Sequence, residues 1–182
     1  MQNPQAPLRH ELVTWAEVDE IVDNLVPQIK AIGGFDGIVL ITRGGIIPGG
    51  LLAEALGISY ILTAAVRFAD REFSAVSEVA TPMKLSLPAF LQFPSDNLLR
   101  DRQLLLVDDV WGSGRTSISI SGRIRAADAK VFTCVFHYDP YRSLFPDAKP
   151  DFYGAITDAY VIYPWEVDRG IDGIRQSEPQ LF

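Results

Sequence analysis

The sequence predicts an α/β fold: a mainly parallel five-stranded sheet flanked by helices, with an irregular hood. Three observations carry this reading. Ile38–Ile41 and Leu104–Val107 are short runs, apolar at every position, as suits strands buried on both faces of a parallel sheet. Each is followed by a glycine-containing turn, Thr42-Arg43-Gly44-Gly45 or Gly112-Ser113-Gly114-Arg115-Thr116, that opens a helical stretch. Strand-like and helical stretches alternate along the chain, as crossover-linked parallel strands require.

Composition sets the bounds. At 182 residues, 48% hydrophobic and 21% charged, the chain is ordinary globular stock, long enough for one well-filled domain over 1–182. Its net charge of −7 argues against a sequence-independent grip on DNA, which needs a basic face. A local phosphate loop remains open to it. The one cysteine, Cys134, lies in the apolar run Val131–Phe136, so an inert core thiol is expected rather than a disulfide or a zinc site. No run approaches membrane-spanning length, and the first ten residues carry no apolar signal region. A soluble, cytoplasmic protein is the expectation.

The first ten residues read as a loose tail. Thr14-Trp15-Ala16-Glu17 is a capping-box pattern. Behind it Trp15, Val18, Ile21, Val22, Leu25 and Ile29 recur at helical spacing, predicting an amphipathic helix to about Ala31 that Pro27 kinks or shortens and Gly33-Gly34 ends. Ile38–Ile41 is the first sheet strand. Pro48 suits the first turn of a helix to about Leu56, with Gly57 as its stop. Ser59–Val66 is the next strand. From Arg67 to Arg102 the period breaks around Pro82, Pro88 and Pro94, as in a lid, a separate hairpin or a dimer-contact arm. Ile118 and Ile120 alternate with serines as a strand would, but a parallel sheet needs a crossover there, so a helix to about Ala127 is preferred. Val131–Tyr138 and Asp151–Ile156 complete the strands.

The chemistry gathers at Leu104–Thr116, L-L-L-V-D-D-V-W-G-S-G-R-T. In an open α/β sheet, ligands bind beyond the carboxyl ends of strands, where Asp108 and Asp109 should fall. A small-residue turn at a helix start points several N–H groups, and the positive end of the helix dipole, at one anion. The paired carboxylates can accept from vicinal hydroxyls or hold a hydrated Mg²⁺. An acidic loop that merely caps a helix is the plainer alternative. A Walker A loop is excluded because acids precede the turn and no Lys follows it, and no G-x-G-x-x-G is present. Taken alone, Thr42-Arg43-Gly44-Gly45 is better explained as an ordinary strand-to-helix turn. Beside the acidic motif, it becomes a second place where bare backbone and a guanidinium can meet a pyrophosphate.

The thirteen-residue pattern resembles the ribose-phosphate signature of the type I phosphoribosyltransferases, and the resemblance extends over about residues 12–170. It implies transfer of 5-phosphoribose from phosphoribosyl pyrophosphate (PRPP) to a nucleobase, most simply a purine, with Mg²⁺ and release of pyrophosphate. Asp108 and Asp109 would take the ribose hydroxyls, and Gly112, Ser113, Gly114, Arg115 and Thr116 the 5′-phosphate. Arg43 and Gly44 would take the pyrophosphate, in a loop where the family often has a non-proline cis peptide, here Thr42–Arg43. Residues 67–102 and the C-terminal segment 157–182 would form hood or lid elements. The resemblance also implies a homo-oligomer, dimer or tetramer.

Asp158-Ala159-Tyr160-Val161-Ile162-Tyr163-Pro164-Trp165-Glu166 is similar to the base-binding stretch of bacterial xanthine-guanine phosphoribosyltransferases. By that likeness Tyr160 stacks on the base, Val161 supplies backbone contacts, and Glu166 stands with Asp109 near the metal. Without the likeness, Tyr163 and Trp165 read as core or interface residues. Two positions depart from the 6-oxopurine pattern: Gly112 where those enzymes carry a further Asp, and Asp139 where they carry a Lys that donates to the base. A carboxylate accepts rather than donates, which leaves open an amino-substituted base, another acceptor such as a pyrimidine, or a PRPP-binding regulator without catalysis. His10 falls in the tail, and His137 reads equally as structural or catalytic.

Overall fold

The computed structural model describes residues 9–68 and 87–167. Strand β1 (His10–Leu12) leads into helix α1 (Trp15–Ile32). The capping box is formed: the Glu17 amide donates to Thr14 Oγ1 at 3.2 Å, and the Thr14 amide to Glu17 Oε2 at 2.7 Å. Val18, Ile21, Leu25 and Ile29 are buried along one stripe. Pro27 lies inside the helix without ending it.

Strand β2 (Gly37–Ile41) and helix α2 (Ile46–Leu56) follow, with Pro48 in the first turn. Gly57 closes α2 at φ 68°, a left-handed conformation in which glycine avoids the Cβ clash. Next come β3 (Ile61–Phe68), β4 (Pro88–Gln92) and the short α3 (Asp96–Leu99). Strand β5 (Gln103–Trp111), α4 (Arg115–Ala126), β6 (Lys130–Tyr138) and β7 (Phe152–Ile156) complete the main sheet. Strand β8 (Tyr160–Ile162) and a one-turn α5 (Pro164–Val167) close the described chain.

The main sheet has six strands in the order β4-β3-β2-β5-β6-β7, not the expected five. The additional strand, β4, runs antiparallel to the end of β3. A proline-rich, aperiodic stretch hid it, and the edge tolerates Pro88 because an outward position needs no ladder N–H. Within 67–102, residues 69–86 lie outside the described residues, and residues 168–182 of the C-terminal segment do likewise. The tail reading of residues 1–10 is corrected at its end, residues 1–8 lying outside the described residues: β1 pairs in parallel with β8, with His10 opposite Tyr160 and Leu12 opposite Ile162. Three residues at one end of a helix carry too little periodicity to announce a strand.

Helices α1 and α2 cover one face of the sheet, where Val18, Leu25, Ile29 and Leu52 pack with Ile38, Leu105 and Val107. On the other face Ile120 and Ile124 of α4 pack with Val39, Leu104 and Leu106. Burying each such side chain contributes about 1.5–3 kcal/mol. Covering both faces explains why β2 and the first half of β5 are apolar throughout. The chain leaves β2 through α2 towards β3, and leaves β5 through α4 towards β6 on the other side. The sheet therefore reverses its winding between β2 and β5, and the crevice beyond their carboxyl ends is the place where such sheets bind ligands.

Candidate functional site

Two turns and two strand ends frame this crevice. Strand β5 does not stop at Val107 as the apolar run suggested but continues to Trp111. Its pairing with β2 ends at Leu40–Val107, while its pairing with β6 persists to Trp111–Tyr138. Asp108 and Asp109 thus emerge just past the end of β2. Across from them the Thr42–Arg43 peptide is cis. A Cβ added at Gly44 would lie 2.6 Å from Asp109 Oδ2, so the bare backbone of the first turn lies directly against the second acid. Arg43 is exposed beside it.

The second turn presents its amides. Among the described residues the N–H groups of Ser113, Gly114 and Thr116 donate to no protein acceptor, at the start of a twelve-residue helix whose dipole adds positive potential. Gly114 takes φ 78° and lies on the Trp111 indole; a Cβ there would be 2.8 Å from Trp111 Cε2. The Ser113 carbonyl accepts from the Leu144 amide at 3.1 Å, anchoring the turn to the loop after β6. The Arg115 guanidinium lies 4.0 Å from the Phe68 ring centroid, so its side chain ties the helix start to β3.

The two acids are held in different ways. Asp108 Oδ1 accepts from the Asp109 amide at 3.1 Å, and Asp109 Oδ1 from the Val110 amide at 2.7 Å. Burial, then the negative charge of Asp109, raises the Asp108 carboxyl well above the ordinary carboxylate range. Burial raises Asp109 as well, with Glu166 adding to it. Charged carboxylates disfavoured by burial and by one another favour an arriving cation. Yet no cluster of three potential metal-ligating side chains is found among the described residues, and Glu166 Oε2 accepts from the Tyr163 amide at 2.9 Å. The acids therefore fit a Mg²⁺ that takes most of its ligands from water and substrate oxygens, the usual habit of that ion.

Beside the acids lies a cavity of about 210 Å³. It brings together Asp109, Asp139, Tyr160, Val161 and Glu166, all singled out from the sequence. Tyr160 meets the His10 ring edge-on, with centroids 5.7 Å apart. Asp139, only 1% exposed, sits at the end of β6, where Oδ1 accepts from the amides of Tyr141 and Arg142 at 3.0 and 3.1 Å. Sequence reading missed Arg142, which lines the same cavity; a charged residue just past a strand's carboxyl end was the available signal. It also missed the placement of Tyr163, whose ring stacks on Trp165 with centroids 4.4 Å apart while its hydroxyl reaches Asp109. His137 is buried with Nδ1 on that hydroxyl. Gly112 stands apart: a Cβ there would meet nothing within 4 Å. Cys134 is a fully buried core thiol, pushed up by desolvation.

An amide-lined turn and paired acids at a sheet's switch point fit the class of α/β proteins that hold phosphorylated sugars or nucleotides there. Residues 12–167 match the phosphoribosyl transferase domain. The chain belongs to this family, and as a member it is a phosphoribosyltransferase.

Solved structures share the fold. A purine phosphoribosyltransferase from Pyrococcus horikoshii Ot3 superposes with a TM-score of 0.69 at 22% identity, over 86% of this chain and 93% of its own. The Helicobacter pylori xanthine-guanine-hypoxanthine phosphoribosyltransferase gives 0.70 at 15% identity, over 92% and 99%. A hypothetical protein from Neisseria gonorrhoeae with bound ppGpp gives 0.72 at 20% identity, over 94% and 97%. At these identities the likeness is one of fold. No helix among the described residues is long and apolar enough to cross a membrane.

Proposed function

We propose that the protein transfers 5-phosphoribose from PRPP to a ring nitrogen of a purine base, releasing pyrophosphate, in cytoplasmic nucleotide metabolism. The observation that carries this is the juxtaposition of unspent amides at Ser113, Gly114 and Thr116 with the acids Asp108 and Asp109. The turn from Gly112 to Thr116 takes the 5′-phosphate through its N–H groups and the Ser113 and Thr116 hydroxyls. Asp108 and Asp109 accept from the ribose hydroxyls and orient the ring. Arg43 and the Gly44 amide offset the charge of the departing pyrophosphate. Tyr160 stacks on the base, and the Val161 backbone reads its edge.

Asp109, with Glu166 nearby, would hold a Mg²⁺, which would supply charge neutralisation for the pyrophosphate when bound. The protein's own contribution is position and electrostatics as the ribose carbon gains positive character. No enzyme nucleophile is required. The hood segments would exclude water that otherwise hydrolyses an activated ribose. Exposed apolar residues such as Leu12 and Ile156 support a homo-oligomer.

Incubation with PRPP, Mg²⁺ and a panel of bases, following pyrophosphate, tests the reading. Base-dependent release is expected, and its abolition by Asp108→Asn with Asp109→Asn. One observation favours a second reading, a PRPP-binding regulator: Gly112 places no carboxylate over the crevice. PRPP binding without release on any base would establish that reading instead.

A further inference from the structure

Resting on the transfer reading above, we propose that the base entering the cavity presents an exocyclic amino group to Asp139, so that aminopurines are accepted over the corresponding oxopurines. Among the described residues Asp139 is the most deeply buried carboxylate, at 1% exposure, and it lines the cavity that holds Tyr160 and Val161. Its two oxygens are used unequally. Oδ1 accepts from two backbone amides, Tyr141 and Arg142. Oδ2 is buried and has no hydrogen-bond partner among the described residues; its ion pair with Arg142 Nε, at 4.0 Å, is too long to be one.

A buried acceptor left unmatched is destabilising, more so when charged. A ligand that supplies an N–H there removes the cost; one that presents a carbonyl oxygen adds repulsion between two acceptors. A carboxylate offers no donor to a carbonyl, so the amino–oxo distinction is the one this wall reads. Sites built to pair a specific polar group reject the mismatched analogue strongly, whereas purely apolar pockets discriminate weakly.

The test is Asp139→Asn. The Tyr141 and Arg142 amides hold the side-chain oxygen in the Oδ1 position, because the flipped rotamer would oppose donor to donor. The Asn NH₂ therefore takes the place of Oδ2, turning an acceptor into a donor while the turn keeps its cap. With the full chain, kcat/KM is measured for adenine against hypoxanthine and for 2,6-diaminopurine against guanine, pairs that differ at C6, amino beside a bare N1 in one member and oxo beside an N1–H in the other. The wild type is expected to favour the amino member by on the order of 100-fold, and the variant to lose or invert that preference.

A purely structural Asp139 would leave the ratio unchanged in D139N, overturning the inference. Release with hypoxanthine or guanine but not with the amino bases also overturns it and leaves phosphoribosyl transfer standing. If no base yields pyrophosphate, the transfer reading fails. The amino preference is then read from calorimetric binding of AMP against IMP to wild type and D139N, and equal or tighter IMP binding to the wild type overturns it.

Discussion

The Tyr163 hydroxyl donates to the backbone carbonyl of Asp109 at 3.1 Å, which fixes the path of β5 at the second site acid. A hydroxyl has one proton to give, so its other contact, 2.8 Å to His137 Nδ1, must be one it accepts. His137 therefore carries its proton on Nδ1. Burial lowers the imidazole's proton affinity and keeps it neutral. Burial and then the charges of Asp109 and Asp108 raise the phenol well above its ordinary value, so it stays protonated. The result is a neutral His–Tyr–carbonyl chain beneath the acids.

Tyr163→Phe removes that chain's centre while preserving the ring stacked on Trp165. The His137 N–H and the Asp109 carbonyl lose a partner, at a cost of about 1–3 kcal/mol of folding stability. Urea denaturation checks this directly. Because the freed backbone is that of Asp109, PRPP use should weaken in the same variant. A variant as stable as wild type would refute the assignment of these hydrogen bonds.

Gly44→Ala places a methyl group against the Asp109 carboxylate, at 2.6 Å from Oδ2 before relaxation. Either the Thr42–Gly45 turn or the acid must move, and both belong to the proposed PRPP site. The expected result is loss of PRPP binding by calorimetry, with a near-native circular dichroism spectrum. Gly50→Ala, on the exposed face of α2, is the control: open space surrounds that position, and PRPP affinity should change little.

How much of this was legible beforehand follows from the range of each interaction. The α1 capping box, the Gly57 stop and the apolar runs of β2 and β5 are local patterns, and each forms as the sequence implies. The motif at 108–116 was legible because its residue types have few other uses in that order. What escaped reading depends on partners distant in sequence. β1 exists only because β8 lies beside it, and β4 only because β3 offers an edge. Asp139 and Tyr160 do share a cavity, as the family likeness implied, but Arg142 beside them went unread, and nothing near Asp109 in the chain announces Tyr163.

Stability of the ligand-free protein should fall as pH rises above the ordinary carboxylate range. Burial raises the Asp108 and Asp109 carboxyls above their unfolded value of about 3.9. Between that value and the raised folded ones the folded state binds more protons than the unfolded, so unfolding free energy declines with pH. Asp108→Asn removes the larger of these contributions. It should raise the Tm at pH 7 and flatten the slope above pH ~4, where the Asp carboxyls of the unfolded chain have ionised. Thermal melts of both proteins across pH 4–8 check this. A variant less stable than wild type at pH 7 would contradict the burial argument. The same variant should lose PRPP-dependent turnover, so site chemistry and stability are expected to separate in a single substitution.

The N-terminal strand gives the last prediction, because it braces the segment that lines the base cavity. β1 pairs with β8 in a register that sets His10 beside Tyr160 and Glu11 beside Val161. Glu11 Oε2 accepts from the Thr157 hydroxyl at 2.7 Å, and the Val13 amide donates to the Ile162 carbonyl at 2.9 Å. The Arg9–Asp158 pair, at 3.2 Å, is exposed on both sides, so Arg9→Ala should cost less than about 1 kcal/mol. Glu11→Ala is different, since it takes the acceptor from the buried Thr157 hydroxyl at the root of the 157–163 segment. A loss of about 1 kcal/mol there corresponds to roughly fivefold weaker base binding. The phosphate turn at 112–116 lies on another element, so the KM for PRPP should stay within about twofold, as expected of sites without shared partners. Steady-state kinetics with each substrate varied separately distinguishes the two. Equal effects on both KM values would mean that β1 supports the whole fold and not the base wall in particular.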